Sequence, residues 1–301
     1  MFSVIIVDYN SINKTIEYIK DLQLHCNHEK LDFIIVENGD EEIAKKKIGF
    51  PYKKKIIINN YKALYYESHC LKFTITFPND NLGYAKGNNF GFYIEKKLFN
   101  NRYLLISNND LAFNKSLDLR HVTEIFESNK EIGIIGPEIV GTDGIRQSPY
   151  VIEKPADRLI FYYWKSVLNF KNINDVDFTL RKGYCDYVSG SFVFIRAEAF
   201  NVIGGYDPRT FLYGEEIILS ARMKEKKYMT YFTSELRIIH NHSQIVRSNL
   251  KTLSILKYGF QSSKYYYRKY NKVSKTLITI ANINFLVFQF LYRVKHGIKG
   301  N

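Results

Sequence analysis

Cysteine is scarce in this chain of 301 residues, with only Cys26, Cys70 and Cys185. They are odd in number, far apart and outside any metal-ligand spacing. That excludes a disulfide framework and suits a reducing cytosol. No basic segment precedes the first apolar run, Val4-Ile5-Ile6-Val7. The run is too short for a secretion signal, so secretion is not expected. The Gly-bearing loop at 79–89 fits neither the Walker pattern nor GxGxxG, which excludes a P-loop enzyme and a Rossmann dehydrogenase there. Acidic residues stop altogether at Glu235. Twelve lysines and arginines follow, against a net charge of +13 for the whole chain. A block of one sign needs an anionic partner, a lipid surface or nucleic acid. No nucleic-acid motif accompanies it, so nucleic acid is not expected as a partner.

What the chain does have is an α/β rhythm. Ser3–Tyr9, Leu31–Val36 and Lys55–Asn59 are β-branched apolar runs and predict buried strands. Helical segments at Lys14–Leu24 and Glu41–Ile48 separate them. Asn10, Ser11 or Asn13 could cap the first of these. Residues 60–72 carry no clear pattern, and Phe73–Phe77 predicts a further strand. The loop Asn79–Asn89 leads into a helix over Phe90–Leu98. Backbone N–H groups at a helix start attract phosphate, although a plain turn satisfies the same pattern. Tyr103–Ser107 then predicts a strand, Leu117–Ser128 a helix, and Ile132–Ile135 a strand ending at Gly136-Pro137. This alternation argues for a largely parallel nucleotide-binding sheet. Residues 141–183 are weakly patterned, and Phe161–Trp164 reads equally as a helix or as an acceptor-facing loop. Phe192–Ile195 predicts a strand and Arg196–Ile203 a helix closed by Gly204-Gly205. A helix at Ile217–Lys226 and strands at Met229–Phe232 and Arg237–Ile239 complete this part.

Three places put chemistry at the ends of these elements. Asn108-Asn109-Asp110 closes the Tyr103–Ser107 strand, at the sheet edge where open α/β folds bind ligands. A carboxylate between apolar runs is costly unless paired or metal-bound. A turn or N-cap aspartate is the structural alternative. Glu215-Glu216 follows the aromatic run Phe211-Leu212-Tyr213. Adjacent carboxylates suit general-base work if one is pushed to a higher pKa. A helix start stabilised by its dipole explains the pair equally well. His240-Asn241-His242 ends a strand, and a histidine beside a metal carboxylate is a plausible ligand.

From Ser248 the sequence is helical, basic and aromatic. Leu277–Leu291 is mostly apolar but interrupted by Asn282, Asn284 and Gln289, and it is short for a span of about 20 residues. It reads as an interfacial helix, with a helix packed on the catalytic domain as the structural alternative.

In order along the chain stand Val4–Asn10, Ile35–Asp40, Asn81–Asn89, Asn108–Asp110, Val188–Ser191 and Gly204–Asp207 running on to Glu216. Together these segments resemble the family 2 glycosyltransferases, and among them the bacterial rhamnosyltransferase-like group. The likeness covers roughly residues 2–245. It implies an α/β GT-A nucleotide-sugar-binding fold with a mostly parallel central sheet over 1–245. A basic, helical, membrane-associating C-terminal extension would occupy 246–301. It implies transfer, with inversion, from a nucleotide-diphospho-sugar such as dTDP-rhamnose to a lipid-linked saccharide. The reaction would serve surface polysaccharide synthesis at the cytoplasmic face of the membrane, and the likeness allows a homodimer.

By the same resemblance, Tyr9, Asn10, Glu37, Asn38, Asn81, Gly83, Lys86, Asn88, Asn108 and Asn109 would line the nucleotide-sugar. Asp110 and His240, with His242 as a fallback, would hold Mg²⁺ or Mn²⁺. Glu216, preceded by Glu215, would be the catalytic base. Three positions depart from the family pattern. Asn108 replaces the first Asp of the metal triplet, Glu216 replaces Asp at the base, and Ile218 stands where many relatives carry Asp. These departures leave open a non-catalytic sugar-nucleotide-binding or scaffold protein. A nucleotidyltransferase is weaker, because the N-terminus lacks a Gly-rich basic phosphate loop.

Overall fold

The structure is a computed structural model that describes residues 1–26, 30–68, 71–167, 175–210, 213–241 and 252–295. The first strands are β1 (Phe2–Asp8), β2 (Leu31–Glu37), β3 (Lys54–Ile58), β4 (Tyr61–Ser68), β5 (Leu71–Thr76) and β6 (Tyr103–Ser107). They are followed by β7 (Leu111–Ala112), β8 (Ile132–Gly141), β9 (Lys182–Cys185), β10 (Phe192–Arg196) and β11 (Met229–His240). All belong to one sheet, ordered β3-β4-β5-β2-β1-β6-β10-β8-β11-β7, with β9 also on β11. Most strands run one way: β1, β2, β3, β5, β6, β8 and β11 share a direction, and β4, β7, β9 and β10 oppose them.

Helices cover both faces, which is why the central strands are apolar at most positions. Val4 and Ile6 of β1 face one way, into a core with Ile12, Ile19 and Leu22 of α1 (Ile12–His25). Val122 and Phe126 of α4 (Leu119–Ser128) complete that side. Ile5 faces the other way, toward Phe92 of α3 (Gly83–Leu98), Phe200 of α6 (Ala197–Val202) and Met223 of α7 (Glu215–Glu225). The period-two alternation therefore sorts one strand into two cores. Helix α2 (Glu41–Ile48) is capped by Asp40, whose side chain accepts from the Ile43 N–H, and ends on left-handed Gly49.

The structure differs from the sequence expectations at several points, each with a physical reason. Helix α3 starts at Gly83 rather than Phe90, because Asn81 turns the chain by accepting from the Gly83 N–H at 2.9 Å. The unpatterned 60–72 stretch holds β4, an antiparallel strand added between β3 and β5. Strand β8 runs on through Pro137, which sits where its register with β11 slips between Thr233 and Arg237, and a bulge tolerates the missing N–H. That same slip joins the two strands expected at 229–232 and 237–239 into one. Phe161–Trp164 is helical, shared between a π-helical turn (Asp157–Phe161) and α5 (Tyr162–Val167).

The C-terminal segment packs on the domain. Helices α8 (Thr252–Lys269) and α9 (Lys275–Lys295) build a third core with Leu159, Tyr163 and Ile218. Helix α9 is longer than expected, 21 residues, and long and apolar enough to cross a bilayer by length and composition. Its inner stripe is Ile278, Ala281, Phe285 and Phe288. The polar interruptions turn inward as well: Asn284 accepts from Trp164 Nε1 at 2.9 Å and donates to the Ile160 carbonyl, and Asn282 accepts from Lys264 Nζ. The outer face is left apolar, with Ile283, Leu286, Phe290 and Val294 exposed.

Candidate active site

The carboxyl ends of β1, β2 and β6 lie side by side, and the polar residues after each strand meet there. Asp8 and Glu37 are in register across β1 and β2, and both are buried. Asp8 accepts from the Ser11 N–H and hydroxyl, from Thr15 Oγ1 at 2.8 Å, and from Asn109 Nδ2 at 2.9 Å. Glu37 accepts from the backbone N–H groups of Asn10 at 3.0 Å and Gly39 at 2.7 Å. Burial, together with the hydrogen bond and charge of Asp8, pushes Glu37 up to about 8, so it carries a proton at neutral pH. Asn10 takes a left-handed conformation, which Asn tolerates better than other residues with a Cβ, and its Oδ1 accepts from the Asp40 N–H. Gly39 leaves no room for a Cβ, which would lie 2.1 Å from Asn10 Oδ1. Asn38 Oδ1 receives the Leu82 N–H at the entry to α3. The expected donor-side residues Tyr9, Asn10, Glu37, Asn38, Asn81 and Gly83 thus border one loop cluster.

Other expected residues play different parts. Lys86 is exposed on the first turn of α3, while Asn88 is buried and donates to the Tyr84 carbonyl. Asn109 does not point outward. Its amide nitrogen is spent on Asp8, Ser11 and Thr15, so it locks the β6 end to α1. Asn108 N–H donates to the Ser191 carbonyl, tying the triplet to the turn at 188–191.

Asp110 is buried at the start of β7, 3.5 Å through its Oδ2 from His240 Nε2. Gln147 Oε1 contacts His240 Nδ1 at 3.0 Å and orients the ring, leaving Nε2 toward the carboxylate. The Asn241 N–H donates to the Asp110 carbonyl. A carboxylate and an imidazole converging in this way suit a divalent cation completed by phosphate oxygens. Among the described residues no group of three or more His, Cys, Asp or Glu could hold a metal ion. His242 lies outside the described residues.

Glu215 and Glu216 open α7 after Tyr213 and Gly214, both at positive φ. Glu215 is only 4% exposed, and burial plus the neighbouring Glu216 charge pushes it up to about 8. Burial raises Glu216 too, opposed by its own backbone N–H and that of Gly190. Glu216 lines a cavity of about 250 Å³, whereas Glu215 does not. The first is therefore placed to meet a substrate, and the second is held protonated behind it. Gly190 is required here, because a Cβ would lie 2.9 Å from the Glu216 side chain. The turn at 188–191 thus joins Asn108 on one side to Glu216 on the other. Ile218, two residues further on, is buried beneath α8 and α9, which accounts for an apolar residue at that position.

Sequence reasoning missed Gln147, Asp8 and Asp175. Gln147 lies in a patternless stretch, and only the fold brings it to His240. Asp8 reads as the end of a strand, and Asp175 follows a stretch without periodicity.

No protein-family model and no curated protein sequence matches the chain. Solved structures do. Among them is GalNAc-T7 with UDP, GalNAc and Mn²⁺, at 12% identity and a TM-score of 0.53. The match covers 80% of this chain and 44% of that one. The architecture built above from its strands and their order is the GT-A fold of the glycosyltransferases.

Proposed function

We propose that the chain is an inverting glycosyltransferase that uses a nucleotide-diphospho-sugar. The observation that carries this is Glu216, a carboxylate with raised pKa on a cavity wall, linked through Gly190 and Ser191 to the Asn108–Asp110 edge of a GT-A sheet. Asp110 and His240 would hold Mg²⁺ or Mn²⁺. When bound, such an ion neutralises the leaving diphosphate. Glu216 takes the proton of the acceptor hydroxyl as that oxygen bonds to the anomeric carbon. The bond from that carbon to the diphosphate breaks, and the configuration inverts. Glu215, kept neutral by burial, adds no repelling charge to the ionised base. A base poised above the ordinary glutamate range suits this work near neutral pH.

The outer face of α9, flanked by Lys275, Arg293 and Lys295, supports docking at an anionic membrane surface. That placement favours a lipid-linked saccharide acceptor, with the protein peripheral at the cytoplasmic face. The rhamnosyltransferase-like sequence character puts dTDP-rhamnose first among donors to try.

Incubation with a panel of nucleotide sugars, Mn²⁺ or Mg²⁺ and lipid-linked acceptors tests the reading. Transfer should occur with the native chain, and Glu216→Gln should lose at least a hundredfold in kcat while still binding donor. Full activity in that variant would remove Glu216 as the base. The two-residue metal site favours one competing reading, a non-catalytic nucleotide-sugar-binding protein, which any turnover rules out.

A further inference from the structure

The cavity in front of Glu216 is walled from two sides. The domain supplies Tyr150, Asp175 and Tyr187, and the C-terminal helix α8 supplies Gly259, Ser263 and Tyr267. We propose that this cavity is the acceptor subsite, that it takes a single neutral pyranose unit, and that Asp175 selects this unit by accepting one of its hydroxyls. The proposal rests on the transferase reading of Glu216.

Size and chemistry carry it. At about 250 Å³ the cavity has room for a sugar ring. Tyr150 and Tyr187 stack at 4.8 Å and 17°, offering broad aromatic surface to the C–H groups of a ring. Tyr187 donates its hydroxyl to Asp175 Oδ2 at 2.7 Å, which fixes that carboxylate at the cavity wall. Asp175 and Glu216 therefore face the same small space, and Asp175 contributes to raising Glu216. With Glu153 the lining holds three carboxylates against one cation, Arg158. Arg158 is already engaged: its guanidinium lies 4.0 Å over the Tyr162 ring, pairs with Glu153 at 3.4 Å and donates to Ser263 Oγ at 3.2 Å. An acidic sugar would meet excess negative charge in a low-dielectric cavity, whereas a neutral polyol meets hydrogen-bond acceptors. Asp175 moves no proton. It positions the ring so that a different hydroxyl reaches Glu216.

Helix α8 offers a variant independent of Asp175. A Cβ on Gly259 would have no atom within 4 Å, so a larger side chain there fills the cavity without a clash. The test uses the full chain and saturation-transfer NMR with methyl glycosides of glucose, galactose, mannose, rhamnose, N-acetylglucosamine and glucuronic acid. At least one neutral glycoside should bind and the glucuronide should not. Asp175→Asn should weaken that binding at least tenfold, and Gly259→Leu should abolish it. Binding of UDP or dTDP with Mn²⁺, measured on the same samples, should be unchanged. Absence of any neutral binder, preference for the glucuronide, or binding that survives both variants would overturn the subsite. If glycosides bind as described but no nucleotide does, the subsite stands and the transferase reading falls. If nucleotide binds and glycoside binding ignores both substitutions, the reverse holds.

Discussion

Glu37 shows how a single buried residue can set a pH dependence. Its folded pKa of about 8 lies above the ordinary glutamate value of about 4.3. Between those values the folded chain holds a proton that the unfolded chain has released. The stability from that proton is complete below about 4.3 and is lost as pH rises through about 8. Glutamine at this position keeps a donor toward Asp8 but never ionises. Urea midpoints of the native chain and Glu37→Gln, measured from pH 5 to pH 9, should therefore diverge in favour of the variant as pH rises. A constant gap would contradict the buried, protonated state. At this scale the sequence singled out Asp110, Glu216 and His240 at the ends of predicted elements, but passed over Asp8, which closes an apolar run in the same way. It was silent about partners. Nothing local distinguishes Asn108, which reaches the turn at 188–191, from Asn109, which is spent on Asp8 and Thr15. Those roles depend on register between strands about a hundred residues apart.

Among the elements, α8 depends most on one distant side chain. Asp207 is fully buried and accepts from Tyr265 at 2.6 Å, Tyr270 at 2.7 Å, Lys269 at 3.0 Å and Arg209 at 3.0 Å. These donors hold its carboxyl well below the usual range against the penalty of burial. Three of them belong to α8 or its end, so Asp207 clamps that helix to the domain. Asp207→Ala should cost about 3 kcal/mol, the lower end for a broken buried pair because Arg209 and Lys269 reach solvent. A fall in melting temperature should be accompanied by a larger loss of acceptor-dependent transfer than of donor binding. Equal stability and activity would show that the clamp is idle. The central strands were legible because they are continuous β-branched apolar runs separated by helical segments. Helix starts and β8 were not. An asparagine turn moved α3 seven residues forward, and a bulge carried β8 through a proline that normally ends a strand.

For the molecule as a whole, the acid-free C-terminal segment has two faces. Its inner residues complete a core with Tyr163 and Ile218, and its outer residues are apolar and edged with cations. Composition alone led to the expectation of an anionic partner. It did not show that the same segment builds a wall of the Glu216 cavity, because that cavity is lined by residues as far apart in the chain as 216 and 259. Leu286 and Phe290 are 63% and 66% exposed. Leu286→Glu combined with Phe290→Glu should leave the melting temperature unchanged and weaken binding to phosphatidylserine vesicles at least tenfold, since each buried side chain is worth about 1.5–3 kcal/mol. Undiminished binding would place the membrane contact elsewhere.

Asp110 and His240 are proposed to form a metal-assisted diphosphate site at the edge of a GT-A sheet. Calorimetric titration of UDP and dTDP into the native chain and Asp110→Asn, each with and without Mn²⁺, tests it most directly. Mn²⁺ should tighten nucleotide binding by the native chain at least tenfold and have little effect on the variant. Metal-independent binding, or equal tightening in both proteins, would contradict it.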